Sequence, residues 1–325
     1  MIHIAPSSQV SAEQAASWHA VLAASLARDL PDEPRPTPEQ VQAQLTAAGL
    51  DSRRLFWLAT ESGGAVAGVA ALRLFTSPGQ DHLAELDLHV HPDRRRSGTG
   101  SLLLDAAVRA AKSERRRSLI TAAADGGPGD AFCAARGLRR VLTLDHLLLD
   151  VAQADDAAAG IEHPDYELVD WTGTVPGELA EAFAAAKNAM NDMPTGDMDY
   201  GDQAWTADRV RAMADVLADR GDLLLTTAAL GKGEMAGYTE IVIRAGETRR
   251  ALQYDTAVVP AHRGHGLGLW VKAAMVRRLR AEHPGIAEIE TDNAQDNTHM
   301  LAVNWRLGFR SHRRTHQYQL DLPTA

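Results

Sequence analysis

Two stretches of this 325-residue chain carry the same pattern of chemically capable residues. Arg95-Arg96-Ser97-Gly98-Thr99-Gly100 and Arg263-Gly264-His265-Gly266-Leu267-Gly268 both read Arg-x-x-Gly-x-Gly. Each follows an apolar, β-branched run ending in proline, at residues 86–92 and 256–260, and each opens a helical pattern. A strand, a basic glycine-containing turn and a helix N-terminus together form a device for holding phosphates. The first N–H groups of a helix lack an acceptor within it, and the helix dipole puts partial positive charge at the same end. Arginine adds paired hydrogen bonds to an oxyanion, and glycine lets the backbone approach the oxygens closely. The alternative for one copy is a strand-to-helix turn with no ligand; two copies in matching contexts favour the ligand. Other glycine-rich phosphate motifs fit less well. A Walker loop needs Lys and then Ser or Thr after its second glycine, where Ser101 and Leu269 stand. Gly264, Gly266 and Gly268 fall at alternate positions, which is not dinucleotide-fingerprint spacing.

The motifs lie 168 residues apart, from 95 to 263, which marks a domain duplication rather than a solenoid. In the first half, strands are expected at residues 2–5, 55–60, 65–75, 83–91, 118–123 and 138–151. Helices are expected at 11–27, capped by Ser11, at 38–48, capped by Thr37, at 98–112, and at 130–136, ended by Gly137. In the second half, strands are expected at 166–171, 222–230, 235–244, 250–259, 286–291 and 309–322, with helices at 176–190, 206–219, 267–281 and 297–306. Ser62-Gly63-Gly64 and Gly231-Lys232-Gly233 read as hairpin turns. Each half is then β-α-α-β-β-β-α-β-α-β. Residues 1–151 form the first domain, an Ala- and Asp-rich stretch at 152–163 the linker, and 164–325 the second domain. The fold class is α/β, each domain a mixed, mostly antiparallel sheet flanked by helices.

A formal net charge of -10, with basic residues scattered or in the two loops, argues against nucleic acid as a partner and is compatible with a cationic substrate. The single cysteine, Cys133, excludes an intrachain disulfide and a cysteine-cluster zinc site and points to the reducing cytoplasm. No apolar run approaches the roughly 20 residues of a membrane span, and Met1-Ile2-His3-Ile4 does not open a signal peptide. The histidines show no His-Glu-x-x-His arrangement, so no metal is expected.

The repeated motif resembles the pyrophosphate loop of the GNAT superfamily, the acyl-CoA-dependent N-acyltransferases. The element order resembles the GNAT fold over nearly the whole chain, and the tandem plan resembles that of the mycothiol synthases and of paired actinobacterial acetyltransferases. Asn297-x-x-Met300-x-x-x-Asn304-x-x-Leu307-Gly308-Phe309 is similar to a further family signature. The resemblance implies acetyl-CoA as co-substrate. In the second half its cofactor residues would be Arg263, Gly264, His265, Gly266, Leu267, Gly268 and Asn297, with main-chain groups of Val258 and Val259. In the first half they would be Val90, His91, Arg95, Gly98 and Gly100. Asn297 reads equally as a helix cap, and the two roles are compatible. Gly126 stands in the first half where Asn297 stands in the second, so the first domain reads as degenerate and the second as catalytic.

Many family members place a proton-donating tyrosine four residues before the Gly of Gly-Phe. Here that position is Asn304, whose amide can hydrogen-bond a developing thiolate but cannot act as an acid. In the first half it is Cys133, within an apolar helix, where a cysteine is more often a small buried residue than a nucleophile. Candidates for the base are Asp255 and Glu240, with Tyr254 adjacent. The strand holding Asp255 commonly carries a β-bulge in the family, which leaves its facing open. The loop 191–205, with Asp192, Met193, Tyr200 and Trp205, either shapes an acceptor pocket for an organic cation or is a solvated surface loop. The expected function is transfer of acetyl from acetyl-CoA to a primary amine of a small molecule, by a monomer or homodimer without nucleic-acid or membrane partners. The alternatives are acetylation of a cysteinyl pseudodisaccharide, as in the mycothiol synthases, and a non-catalytic acyl-CoA sensor.

Overall fold

The computed structural model describes residues 2–323. Its helices begin where the sequence supplies caps. Ser11 and Gln14 exchange hydrogen bonds at the start of α1 (Ala12–Asp29), and Thr37 and Gln40 do the same at α2 (Pro38–Thr46). The first half continues with β2 (Ser52–Glu61), β3 (Val66–Phe75), β4 (Leu83–Val90), α3 (Thr99–Ser113), β5 (Ser118–Ala124), α4 (Pro128–Ala135) and β6 (Arg139–Asp150), after an opening β1 (Ile2–Ser7). The second half repeats the order: β7 (Tyr166–Thr172), α5 (Ala180–Lys187), α6 (Ala207–Asp219), β8 (Leu223–Gly231), β9 (Glu234–Ile243), β10 (Arg250–Val258), α7 (Leu267–Glu282), β11 (Glu288–Ala294), α8 (Thr298–Leu307) and β12 (Arg310–Asp321). This is the expected α/β order. Both hairpin turns are present. Lys232 and Gly233 take φ of 52° and 82°, the pair of left-handed residues that a two-residue turn between twisted strands requires.

The chain forms two compact units. The first comprises Met1–Leu142, Asp197–Gly201 and His316–Ala325; the second comprises Thr143–Gly196 and Asp202–Thr315. In the first, the strands run β1-β2-β3-β4-β5, all antiparallel neighbours except the parallel pair β4–β5, and the far end of β12 lies beside β5. In the second, the order is β7-β8-β9-β10-β11, with β10–β11 parallel, and residues 144–150 of β6 pair antiparallel with β11. Each unit therefore takes its sixth strand from the other half of the sequence. Residues 152–163, expected as a linker, lie in the second unit. Val151, Ala154 and Ala158 are buried there with Leu269, Ala273 and Val276 of α7, and Arg280 binds the carbonyls of Val151 and Ala154.

Helices cover both faces of each unit's sheet. In the first, Leu103, Leu104, Ala107 and Ala111 of α3 pack on Leu72 and Leu74 of β3, and Tyr318 and Leu322 belong to the same core. On the opposite face, Trp18 and Val21 of α1 and Val41 of α2 pack on Phe56 and Val69. In the second, α7 covers one face, and α5 and α6 cover the other through Phe183, Val210 and Tyr238.

A chain ending at Thr315 leaves β5 without its outer neighbour and removes two buried side chains from the first core, each worth about 1.5–3 kcal/mol of burial. We expect faster amide hydrogen exchange in residues 118–124 by mass spectrometry; unchanged protection there would show that the borrowed strand is dispensable.

Candidate active site

Both parallel strand pairs part company before they end. The β4–β5 register runs from Leu83↔Ser118 to Leu86↔Thr121, although β4 continues to Val90. The β10–β11 register runs from Arg250↔Glu288 to Leu252↔Glu290, although β10 continues to Val258. A V-shaped gap thus opens toward the glycine motif in each unit. The helix beyond it starts from a left-handed glycine, Gly98 at φ 88° or Gly266 at φ 76°, and neither N-terminus has a side-chain cap. By contrast, α1, α2, α6 and α8 are capped by side chains, while α4 and α5 share the lack of one without following a glycine loop of this kind. The leading N–H groups of α3 and α7 are therefore left to a ligand or solvent. A side chain on Gly98 or Gly264 would meet no atom within 4 Å, so the loop faces open space.

The arginine of each motif ties the end of its strand to a carboxylate. Arg95 donates from Nε to the Val90 carbonyl (3.2 Å) and, through both terminal nitrogens, to the two oxygens of Asp29 (2.7 Å each), with Ser25 Oγ at 3.0 Å. Arg263 repeats this, from Nε to the Val258 carbonyl (3.1 Å) and from Nη2 to Asp192 (2.6 Å). These guanidinium groups clamp the strand end to the segment that closes the first helix of the unit. Val259 is also committed: its N–H donates to Ala236 and its carbonyl accepts from His262. Strand alternation then leaves Val258, one residue back, with its N–H on the gap side. In the first unit, His91 N–H is likewise taken by Ala67, leaving Val90 in the matching position.

The register of β9 and β10 shifts between Gln253↔Ile241 and Thr256↔Thr239, a β-bulge at Tyr254 and Asp255. Ordinary alternation puts residues 253 and 255 on one face. The bulge separates them. Gln253 accepts from Lys272 of α7 (2.9 Å), whereas Asp255 accepts from Lys187 of α5 (2.7 Å) on the other side. The first unit has no counterpart, because β3 and β4 keep one register from Gly68↔Val90 to Leu74↔Ala84.

Lys187 is fully buried, at 0% side-chain exposure, and its Nζ also donates to Glu240 Oε2 at 2.6 Å, Glu240 being 1% exposed and Asp255 32%. The ammonium stands over the rings of Trp205 (4.6 Å), Tyr238 (5.1 Å) and Phe183 (5.4 Å). Burial opposes its charge, but the carboxylates of Asp255 and Glu240 outweigh that and hold its pKa above the usual value. Burial, followed by Asp255, raises Glu240 against the opposing pull of Lys187, and burial raises the Tyr238 phenol well above its usual range. Among the described residues, Glu240 Oε1 and the Tyr238 hydroxyl have no hydrogen-bond partner.

Of the other expected residues, Trp205 joins this cluster, its backbone N–H donating to Asn188 Oδ1 at 2.9 Å. Tyr254 is 39% exposed, and Met193 lies at the surface. Asn304 is buried; its Nδ2 donates to Asn293 Oδ1 at 2.5 Å, and its own Oδ1 has no partner. Asn297 caps α8 by accepting from the Met300 N–H (3.3 Å). His265 is an exposed loop residue whose Nδ1 lies 3.2 Å from the His262 carbonyl. Tyr200 falls, with the rest of Asp197–Gly201, in the first unit, where Asp199 binds Ser118, Gln319 and His82, and the Tyr200 carbonyl accepts from Gln80. Cys133 is buried, and that burial pushes its thiol up to about 11, away from reactivity. Among the described residues, Asp125, Asp130 and His316 lie close enough together to hold a metal ion. They are already engaged in polar contacts, Asp125 to His316 at 3.0 Å and Asp130 to the Tyr318 hydroxyl.

Lys187 and Lys272 went unassigned in the sequence, though each leaves a trace there. Ala180, Phe183, Ala184 and Lys187 form the buried stripe of α5, so a lysine occupies a position where the helical period calls for an apolar residue. Lys272 sits likewise beside Leu269, Ala273 and Val276 on α7.

The acetyltransferase (GNAT) family model matches the chain twice, over residues 19–128 and 188–309. The chain belongs to the acetyltransferase (GNAT) family. It is 31% identical over 237 residues to a mycothiol acetyltransferase of Clavibacter michiganensis subsp. michiganensis (strain NCPPB 382), a match spanning 70% of this chain and 69% of that one. A tandem GNAT protein from the clavulanic acid biosynthesis pathway superposes over 100% of both chains, with a TM-score of 0.82 and 26% identity. A GCN5-related N-acetyltransferase from Sphaerobacter thermophilus shares the fold, with a TM-score of 0.73 at 17% identity over 99% of this chain and 97% of that one. The protein is thus an acetyltransferase of a family that generally uses acetyl-CoA. Among the described residues, no helix is long and apolar enough to cross a membrane.

Lys272 is 2% exposed, and burial depresses its pKa to about 7. The unfolded chain would titrate this group near 10.4. Folding therefore carries the full cost of the depressed pKa below about pH 7, and the cost fades as pH rises toward 10. Lys272→Met should raise the melting temperature at pH 7. The gain should shrink toward pH 10, where only the loss of the Gln253 hydrogen bond remains. A gain independent of pH would mean that the lysine is not buried in the uncharged-favouring site described.

Proposed function

We propose that the second unit transfers acetyl from acetyl-CoA to a primary amine of a small molecule, by direct attack while both substrates are bound. The bulge in β10 carries this reading. It brings Asp255, a partly exposed carboxylate, onto the α5 face of the strand that leads into the uncapped N-terminus of α7. The residues fit the pyrophosphate of acetyl-CoA. The open glycine loop offers N–H donors from residues 264–268, and Val258 keeps an N–H on the gap side. Arg263 opens the same loop, paired at the surface with Asp192, and its guanidinium is assigned to the pyrophosphate in this reading.

The amine's nitrogen forms a bond to the thioester carbonyl carbon, and the carbon–sulfur bond breaks. An ammonium substrate gives up two protons in all: one balances the departing thiolate, and the other passes to Asp255 and then to solvent. Asn304, at the position where many relatives place a tyrosine, supplies no proton. A thiol of ordinary acidity can leave as its thiolate. Approximation of the substrates supplies much of the acceleration. Trp205, whose ring faces the ammonium that binds Asp255, and the exposed Met193 suit an organic cation as acceptor. The first unit, with no bulge in β4 and Gly126 in place of an Asn297 counterpart, performs no chemistry in this reading. The 31% identity to a mycothiol acetyltransferase supports a second reading of the acceptor, a cysteinyl pseudodisaccharide. Thiol release from acetyl-CoA across a panel of amines that includes such a compound decides between them.

Gly266→Asp puts an anion where phosphate would bind and a side chain at a left-handed position, and it should abolish turnover. Gly98→Asp should leave most of it, provided both variants stay folded by circular dichroism. The reverse pattern would assign the chemistry to the first unit. Asp255→Asn keeps size and removes charge. Steady-state kinetics should show a fall in kcat on the order of 10²-fold, with acetyl-CoA affinity nearly unchanged; near-wild-type kcat across the pH range would eliminate Asp255 as the base.

A further inference from the structure

We infer that Lys187 is the positioning residue of the second unit's site: it holds Asp255 toward the acceptor and neutralises the buried Glu240, so that Asp255 remains available to take a proton. The inference rests on reading that unit as the site of acetyl transfer.

The geometry is a graded chain from core to surface. Glu240 is buried on β9, Lys187 is buried at the end of α5, and Asp255 is one-third exposed on the bulge. One nitrogen touches both carboxylates, so Glu240 and Asp255 stand within that nitrogen's span of each other. Lys187 occupies Oδ2 of Asp255; Oδ1 has no partner among the described residues and is the oxygen left to face an amine. Three aromatic rings wall the ammonium in, so its position is fixed by packing as well as by charge. The other polar groups nearby cannot substitute for it. From β9 comes the Tyr238 hydroxyl, which carries no charge, and from β10 comes the neutral phenol of Tyr254, whose charged neighbours are Arg244, Arg220, Asp222 and Asp255. Arg209 of α6 lies over Trp205, with its Cζ 4.6 Å from the ring. Asp192 is paired with Arg263.

Two carboxylates that share a site without a counter-ion cannot both ionise readily, and one retains a proton to higher pH. The ammonium opposes this, pulling Glu240 down against its burial and the charge of Asp255. Its removal should move the acid limb of the activity profile upward, and deletion of the Glu240 charge as well should move it back.

The test is the pH dependence of kcat/KM for wild type, Lys187→Met, Glu240→Gln and the double variant, with acetyl-CoA affinity measured separately. We expect Lys187→Met to lose at least tenfold in kcat/KM at pH 7 and to shift the acid limb up by about one pH unit or more, within the range for paired carboxylates. Acetyl-CoA affinity should be unchanged. The Lys187→Met/Glu240→Gln protein should regain the wild-type limb, a rescue that repair of a packing defect would not produce. If Lys187→Met folds poorly, Lys187→Gln, which keeps a donor without charge, carries the same comparison. An unshifted limb in the lysine variants, or a shifted limb that the double variant does not restore, overturns the inference. Full activity of Asp255→Asn would instead strike the underlying assignment of the base, and that outcome is read from a different protein.

Discussion

A single extra residue in β10 reverses the side-chain alternation between Gln253 and Asp255, and the settings of the second unit's two buried lysines follow from that reversal. Without it, both side chains would lie on one face of the strand, and only one of the flanking helices would reach them. With it, α7 places Lys272 against Gln253 while α5 places Lys187 against Asp255. The two buried lysines have opposite electrostatic settings. Lys187 is held by two carboxylates and keeps its charge firmly; Lys272 has a neutral amide and the face of Phe309, and it holds its charge weakly. A distortion of backbone pairing thus separates a face carrying a buried ion pair from a helix whose N-terminus has no side-chain cap.

The duplicated motif was legible because its information is local. Gly98 and Gly266 take left-handed conformations that favour glycine, and both open helices, as the spacing indicates. The order of strands and helices in both halves was legible for the same reason, through periodicity, caps and turns. The pairings of Arg95 with Asp29 and of Arg263 with Asp192 were not, because those carboxylates lie 66 and 71 residues away and no short-range signal pairs them. Asp255 and Glu240 could be named as candidates but not oriented, since the bulge that settles their facing leaves no unambiguous mark in sequence. Lys187 and Lys272 were detectable only as charged interruptions of an apolar stripe, a pattern equally open to a solvated reading. Tyr200 looked contiguous with Trp205 along the chain, yet the five residues 197–201 belong to the other compact unit.

The two halves preserve one scaffold and differ in what they build on it. Both keep the strand gap, the left-handed N-cap glycine and an arginine that ties the strand end to a carboxylate. The second half alone adds the bulge, the buried Lys187–Glu240 pair and an asparagine cap on α8. In the first half, a side chain on Gly100 would meet the ring of Phe132 at 3.4 Å, whereas at Gly268 the nearest atom is Val258 Cγ2 at 3.6 Å. What endures after duplication here is the architecture that holds the loop; the ionisable groups are what diverged.

The exchange of closing strands also sets a schedule for the growing polypeptide. Domains made by a ribosome generally fold in order of emergence, N-terminal first. The first unit has its own β1 to β5 early, but the strand that lies beside β5 and the core residues Tyr318 and Leu322 are translated after almost all of the second unit. The second unit, by contrast, finds residues 144–150 already synthesised when β11 appears. The half that is translated first is completed last. During translation, the edge of β5 stands open as a surface that chaperones or misplaced strands can occupy.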